Sequence, residues 1–231
     1  MGGFFKKLVL VLLFVVVAMG ASTQSADAAA IVSGFNSTIF PGNDDGSTAL
    51  VPIGFTVNFF GVNRSSLFIN NNGNVTFDSP LSTFTPFALT TTSREIIAPF
   101  FADVDTRAGN TVTYGSGLFD GRTAFGVNWI DVRHYNVFGI GNGLPTNSFQ
   151  LLLVDRGDTG LNNFDIIFNY DSILWEAGTA SGGNSAGLGG GSSARAGYSN
   201  GTGLPGTFFE LPGSAVNGAF LDGNLTTGSD P

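Results

Sequence analysis

The chain has 231 residues, with 17 acidic against 9 basic side chains, a formal net charge of −8 and no cysteine. That balance excludes nucleic acid and anionic membrane surfaces as partners, because both are held by neutralising phosphate with Lys and Arg. The lack of cysteine excludes disulfide-stapled modules, thiolate metal sites and a cysteine nucleophile.

In chain order, Lys6 and Lys7 precede an uninterrupted apolar run over residues 8–21, followed by Ala26-Asp27-Ala28 and Ala28-Ala29-Ala30. That order predicts a secretory signal peptide over residues 1–30. The run is shorter than the ~20 residues of a spanning helix, so no membrane span is expected in the mature chain. Residues 31–225 are expected to form one β domain, with a polar tail at 226–231.

Period-2 alternation marks half-buried strands. It occurs at 54–61 (Phe55, Val57 and Phe59 against Thr56 and Asn58) and at 125–130 (Phe125, Val127 and Trp129 against Gly126 and Asn128). At 163–171, Phe164, Ile166, Phe168 and Tyr170 oppose Asp165, Asn169 and Asp171. Residues 149–154 (FQLLLV) are continuously apolar, which predicts a strand covered on both faces. Asn72-Gly73 lies between two strand-like runs and predicts a tight hairpin. Longer loops are expected at 139–147 and 155–162, and a flexible Gly/Ser-rich loop at 177–193. Short strands between turns predict an all-β fold, an antiparallel β-sandwich in a single domain.

Several stretches are recognisable in order: NDDGST (43–48), GFTVNFFGVNRSSLFINNNGNVTFD (54–78), IIAPFFADVDT (96–106) and FGVNWIDV (125–132). NSFQLLLVDRGDTG, NFDIIFNYD and ARAGYSNGTG continue the match, so the chain resembles the nidogen-like extracellular domain over about residues 34–222. Its overall look is closest to stand-alone bacterial secreted members. The resemblance implies a secreted, extracellular or cell-surface location and a role in cell–matrix adhesion. It implies an extracellular matrix protein, cell-surface protein or glycan as partner, and no catalytic site.

Asp103 and Asp105, two apart after a strand-like run, are candidate ligands for calcium, a hard cation that takes clustered carboxylates. Asp44 and Asp45 can join them from a loop, although the spacing does not fit an EF-hand. No other cofactor is expected. Arg156-Gly157-Asp158 on the 155–162 loop is a literal Arg-Gly-Asp tripeptide in an exposed position. Trp129 is expected in the core. Trp175, beside Glu176 and the glycine-rich loop, is the better candidate for an exposed aromatic that stacks on sugar.

Gly183-Asn184-Ser185-Ala186-Gly187 fits the nucleophile-elbow spacing but lacks a flanking strand and helix, and the chain's one histidine, His134, lies upstream. Gly201 to Gly206 fits a dinucleotide-loop spacing, but Pro205 and the lack of a following helix make it a turn. The reading is therefore a non-catalytic extracellular binding module. A lectin-like carbohydrate binder, calcium-assisted, is the first alternative. A secreted hydrolase built on a carboxylate pair is the second.

Overall fold

The computed structural model describes residues 30–139 and 143–223. The signal-peptide expectation lies outside these residues apart from Ala30, and so does the polar tail.

Strands are numbered in chain order. One sheet has the spatial order β1 (Thr38–Phe40), β7 (Val112–Phe119), β8 (Arg122–His134), β9 (Thr146–Asp155), β10 (Phe164–Ser172), and the short β6 (Val104–Asp105) also pairs with β8. The other has the order β12 (Phe208–Glu210), β11 (Arg195–Asn200), β5 (Glu95–Phe101), β4 (Asn74–Thr76), β3 (Val62–Asn70), β2 (Val51–Phe59). The pairings that join them are antiparallel, giving the expected all-β sandwich in a single domain.

The core follows from the alternation. Val57 and Phe59 of β2, Leu67 and Ile69 of β3, and Phe100 of β5 meet Phe125, Val127, Trp129, Phe149, Leu151 and Leu153 of β8 and β9. Trp129 stacks on Phe149 with ring centroids 5.2 Å apart. The opposite face of β8 and β9 packs Ala124, Leu152 and Val154 on Phe35, so the continuous apolar run is covered twice as its composition predicts.

The 177–193 segment, expected as a Gly/Ser-rich loop inside the domain, carries a short 3₁₀ turn, Thr179–Ser181, and folds over the ends of β6 and β8. Thr179 N donates to Tyr135 O at 2.9 Å, and Glu176 N to Gly187 O at 2.9 Å. Its glycines serve close approach: a Cβ on Gly187 would lie 2.5 Å from Trp175 Cβ and 2.7 Å from His134 Cδ2. Among the described residues, no helix is long and apolar enough to cross a membrane.

A candidate cation site on an asparagine hairpin

The β3–β4 hairpin closes where Asn70 pairs with Asn74, through the loop Asn71-Asn72-Gly73. All five of these residues are buried. Amides buried in this number must be satisfied by partners, and they find them in distant segments. Asn71 Nδ2 donates to the carbonyls of Asp44 and Val104, both at 2.5 Å, while its Oδ1 accepts from Thr106 Oγ1 at 2.8 Å. Asn72 Oδ1 accepts from Val104 N at 2.9 Å, and its Nδ2 donates to Asp45 Oδ1 at 2.9 Å. Trp129 Nε1 donates to Asn71 O at 3.0 Å, fixing the hairpin to the other sheet.

This network pulls the 43–48 loop and the β5–β6 turn onto the hairpin. One carboxylate oxygen from each of Asp44, Asp45 and Asp103 comes within 4.8 Å of the others. That span suits a cation with oxygen ligands about 2.3–2.6 Å away. Asp44 Oδ1 is buried with no hydrogen-bond partner, an acceptor that a cation would satisfy. Asp103 is 2% exposed and lies beneath Gly178, where a Cβ would sit 2.2 Å from its Oδ2. Ser181 Oγ makes one long bond to it at 3.5 Å.

Asp103 and Asp105, paired as candidates in the sequence, have different surroundings. Asp105 is buried beside the cluster, but Arg107 takes both its oxygens, Nε to Oδ1 at 3.0 Å and Nη2 to Oδ2 at 2.7 Å. The same guanidinium reaches Asp44 Oδ2 at 3.2 Å. A forked guanidinium matches a carboxylate bidentately, so Asp105 serves as its anchor and Asp45 takes the third place in the cluster.

Burial, then the neighbouring Asp44 and Asp45, push the Asp103 carboxyl up to about 7. Burial, then Asp105 and Asp45, push Asp44 up to about 6 against the pull of Arg107. Both folded values lie above the ordinary 3.8, so the folded state holds protons that the unfolded chain has released. The contribution is fully present below about pH 4 and is lost as pH rises towards 7. Without divalent cations, the chain is therefore expected to lose stability across that window. Asp103→Asn should flatten the slope and gain about 2 kcal/mol at pH 8, read from urea midpoints at several pH values.

The remaining candidates are placed as follows. Trp175 is not the exposed platform expected of it. It is fully buried, edge-on to Phe100 at 5.6 Å, and its Nε1 donates to Val132 O at 3.1 Å. After β10 the chain turns inward, so Ile173, Trp175 and Ala177 are buried while Leu174 is exposed. Arg156, Gly157 and Asp158 lie on the β9–β10 loop as expected, with Gly157 and Asp158 exposed. Arg156 is already engaged, Nε with Asp158 Oδ1 at 3.1 Å and Nη1 with Asp165 Oδ2 at 2.7 Å, and Asp158 also meets Arg122 at 2.7 Å. The carboxyl of Asp158 is lowered, chiefly by its bond from Arg156.

His134 is buried at the end of β8. Its Nδ1 lies 2.9 Å from Tyr135 O, and burial holds its pKa below the ordinary value. Glu95 pairs with Arg64, Glu210 with Arg195, and Glu176 accepts from the backbone of Gly218 and Phe220. Sequence reading missed Asn71 and Asn72 as the residues that assemble the cluster. The available signal was four asparagines in five positions, more than a hairpin turn requires.

These features define an antiparallel sandwich that presents a polar loop cluster on a rigid hairpin. A model of the family described as NIDO related matches residues 21–211, and the chain belongs to that family. Over 198 residues it is 35% identical to alpha-tectorin of Mus musculus and 34% identical to that of Homo sapiens, alignments that cover 78% of this chain and 9% of either relative. Alpha-tectorin of Gallus gallus is 31% identical over the same coverage. The chain thus spans about a tenth of the length of these curated relatives. No solved structure matches it.

Proposed function

We propose that the chain is a non-catalytic extracellular binding module acting in cell–matrix adhesion, with calcium held by Asp44, Asp45 and Asp103 ordering its loop face. The observation that carries the reading is the convergence of three carboxylates from two distant segments, the 43–48 loop and the β5–β6 turn, on one buried hairpin, within a NIDO-related domain. Membership of this family and similarity to alpha-tectorin support an extracellular, matrix-type role. The disposition of the titratable groups favours binding over hydrolysis. His134 is enclosed, and each glutamate is committed to an arginine or to backbone amides.

The test is binding of the labelled, secreted chain to producer cells and their extracted matrix, with and without EDTA. Saturable binding that EDTA removes and calcium restores is expected, together with a calcium-dependent rise in unfolding temperature that Asp103→Asn abolishes. Binding indifferent to EDTA removes calcium and leaves adhesion. No binding to cells, matrix or extracted glycans overturns the adhesion reading.

A further inference from the structure

Strand β10 is the outer strand of its sheet, and among the described residues no strand pairs with its free edge. Over its nine residues it carries neither Pro nor Lys, two devices that commonly blunt an exposed edge. A groove of about 750 Å³ lies beside its start, lined by Asn163 and the first four residues of the strand, Phe164 to Ile167, with Asn58 and Phe59 at one end. Successive strand residues point to opposite faces, so a groove that touches four in a row runs along the backbone edge. Phe60 and Tyr198 form the facing wall.

The turn that supplies Phe60 is unusual. Phe59 pairs with Val62, so β2 and β3 are joined by Phe60 and Gly61 alone, with φ of 53° and 89°. Tight hairpins with positive φ at both positions favour Asn, Asp or Gly. The β7–β8 turn obeys this, with Asp120 at 48° and Gly121 at 75°. An aromatic residue in this left-handed region is strained, and such outliers gather at functional positions. The ring is only partly spent on the core, meeting Phe59 edge-on at 5.0 Å. Phe60 is 39% exposed, with its ring 5.8 Å from that of Tyr198, which lies 6.1 Å from Phe209, itself 46% exposed. The strained turn sets an aromatic strip beside an open strand edge.

We propose that the edge of β10 takes an extended peptide as an added strand, with alternate apolar side chains against Phe60 and Tyr198 and alternate basic side chains towards Asp165 and Asp171. Main-chain bonds to the free edge give such a complex its affinity, and the alternating side chains give it specificity. Asp165 already carries Arg156 on Oδ2 at 2.7 Å, so a peptide cation competes with that pair there, whereas the exposed Asp171, at the bulge between Tyr170 and Ser172, stands clear of it. The inference deepens the matrix-binding reading and rests on it for its biological setting.

The experiment titrates the full secreted chain with a fluorescent alternating Val-Lys decapeptide, read by anisotropy. An alternating Val-Glu decapeptide and a Val-Lys decapeptide N-methylated at every second residue are the controls. Saturable binding of the first peptide and neither control is expected. Phe60→Asn should weaken it at least tenfold while the unfolding temperature holds or rises, because Asn suits the turn. Asp171→Lys, at an exposed position, should weaken it about tenfold with the fold intact. Equal binding of the Val-Glu peptide, or an affinity unmoved by both substitutions, overturns the proposal. A dimer that dissociates on Phe60→Asn, or a neutral glycan bound here in place of the peptide, also overturns it by assigning the edge to another occupant. Cell and matrix binding that survives while the peptide fails to bind removes this site and leaves the adhesion reading standing.

Discussion

Gly73→Ala is expected to destabilise the chain by about 3–5 kcal/mol, among the larger costs of a single substitution. Two effects add. Gly73 has φ of 73°, a conformation costing a residue with a Cβ about 1–2 kcal/mol. The added Cβ would also fall 1.8 Å from the carbonyl oxygen of Phe100 and 2.8 Å from its carbonyl carbon. These are backbone atoms of β5, tied to the same hairpin by the bond from Phe100 N to Gly73 O at 3.2 Å, so no side chain can swing away. Moving the hairpin breaks the bonds that Asn71 and Asn72 make to the loop carrying Asp44 and Asp45. The variant should therefore also lose the calcium-dependent stabilisation that the proposed site would give. Gly61→Ala is the control: its φ is 89° but nothing lies within 4 Å of the added carbon, so a loss of only about 1–2 kcal/mol is expected. Urea midpoints of the two variants decide it, and equal losses would remove the steric half of the argument.

Trp175→Ala should cost about 3–5 kcal/mol, the range for emptying a large buried aromatic site. The indole packs on Phe100 and on His134 at 5.6 Å each, and its loss would also remove the bond to the carbonyl of Val132. The cavity would admit water to His134, whose pKa is lowered by burial. A lowered histidine costs the folded state stability as pH falls through the ordinary 6.5. The variant would shed that cost, so its deficit against the parent should narrow below pH 6.5. An exposed sugar platform would behave oppositely, with binding lost and the denaturation midpoint unmoved.

The strands were legible because a half-buried strand writes its burial into adjacent residues. Phe164, Ile166, Phe168 and Tyr170 alternate towards the core as their spacing predicts, and the unbroken 149–154 run is covered on both faces. The hairpin at Gly73 was legible for a related reason, since a positive φ restricts which residue can stand there. The nidogen-like character rests on ordered local motifs and was equally open to reading.

Partners brought from far along the chain were not legible. Asp103 and Asp105 look equivalent in sequence, and only the placement of Arg107 makes one a salt-bridge anchor and leaves the other to Asp44 and Asp45. Nothing near Trp175 announces that Gly187 will fold onto it. An all-β chain, its main strands and hairpins, and its kinship can be read without the fold, because they depend on local periodicity, turn geometry and ordered motifs. Only tertiary packing could show which acids converge, that Trp175 is sealed as well as Trp129, and that the outer edge of β10 is left without a partner strand among the described residues, because those outcomes depend on segments that periodicity does not connect.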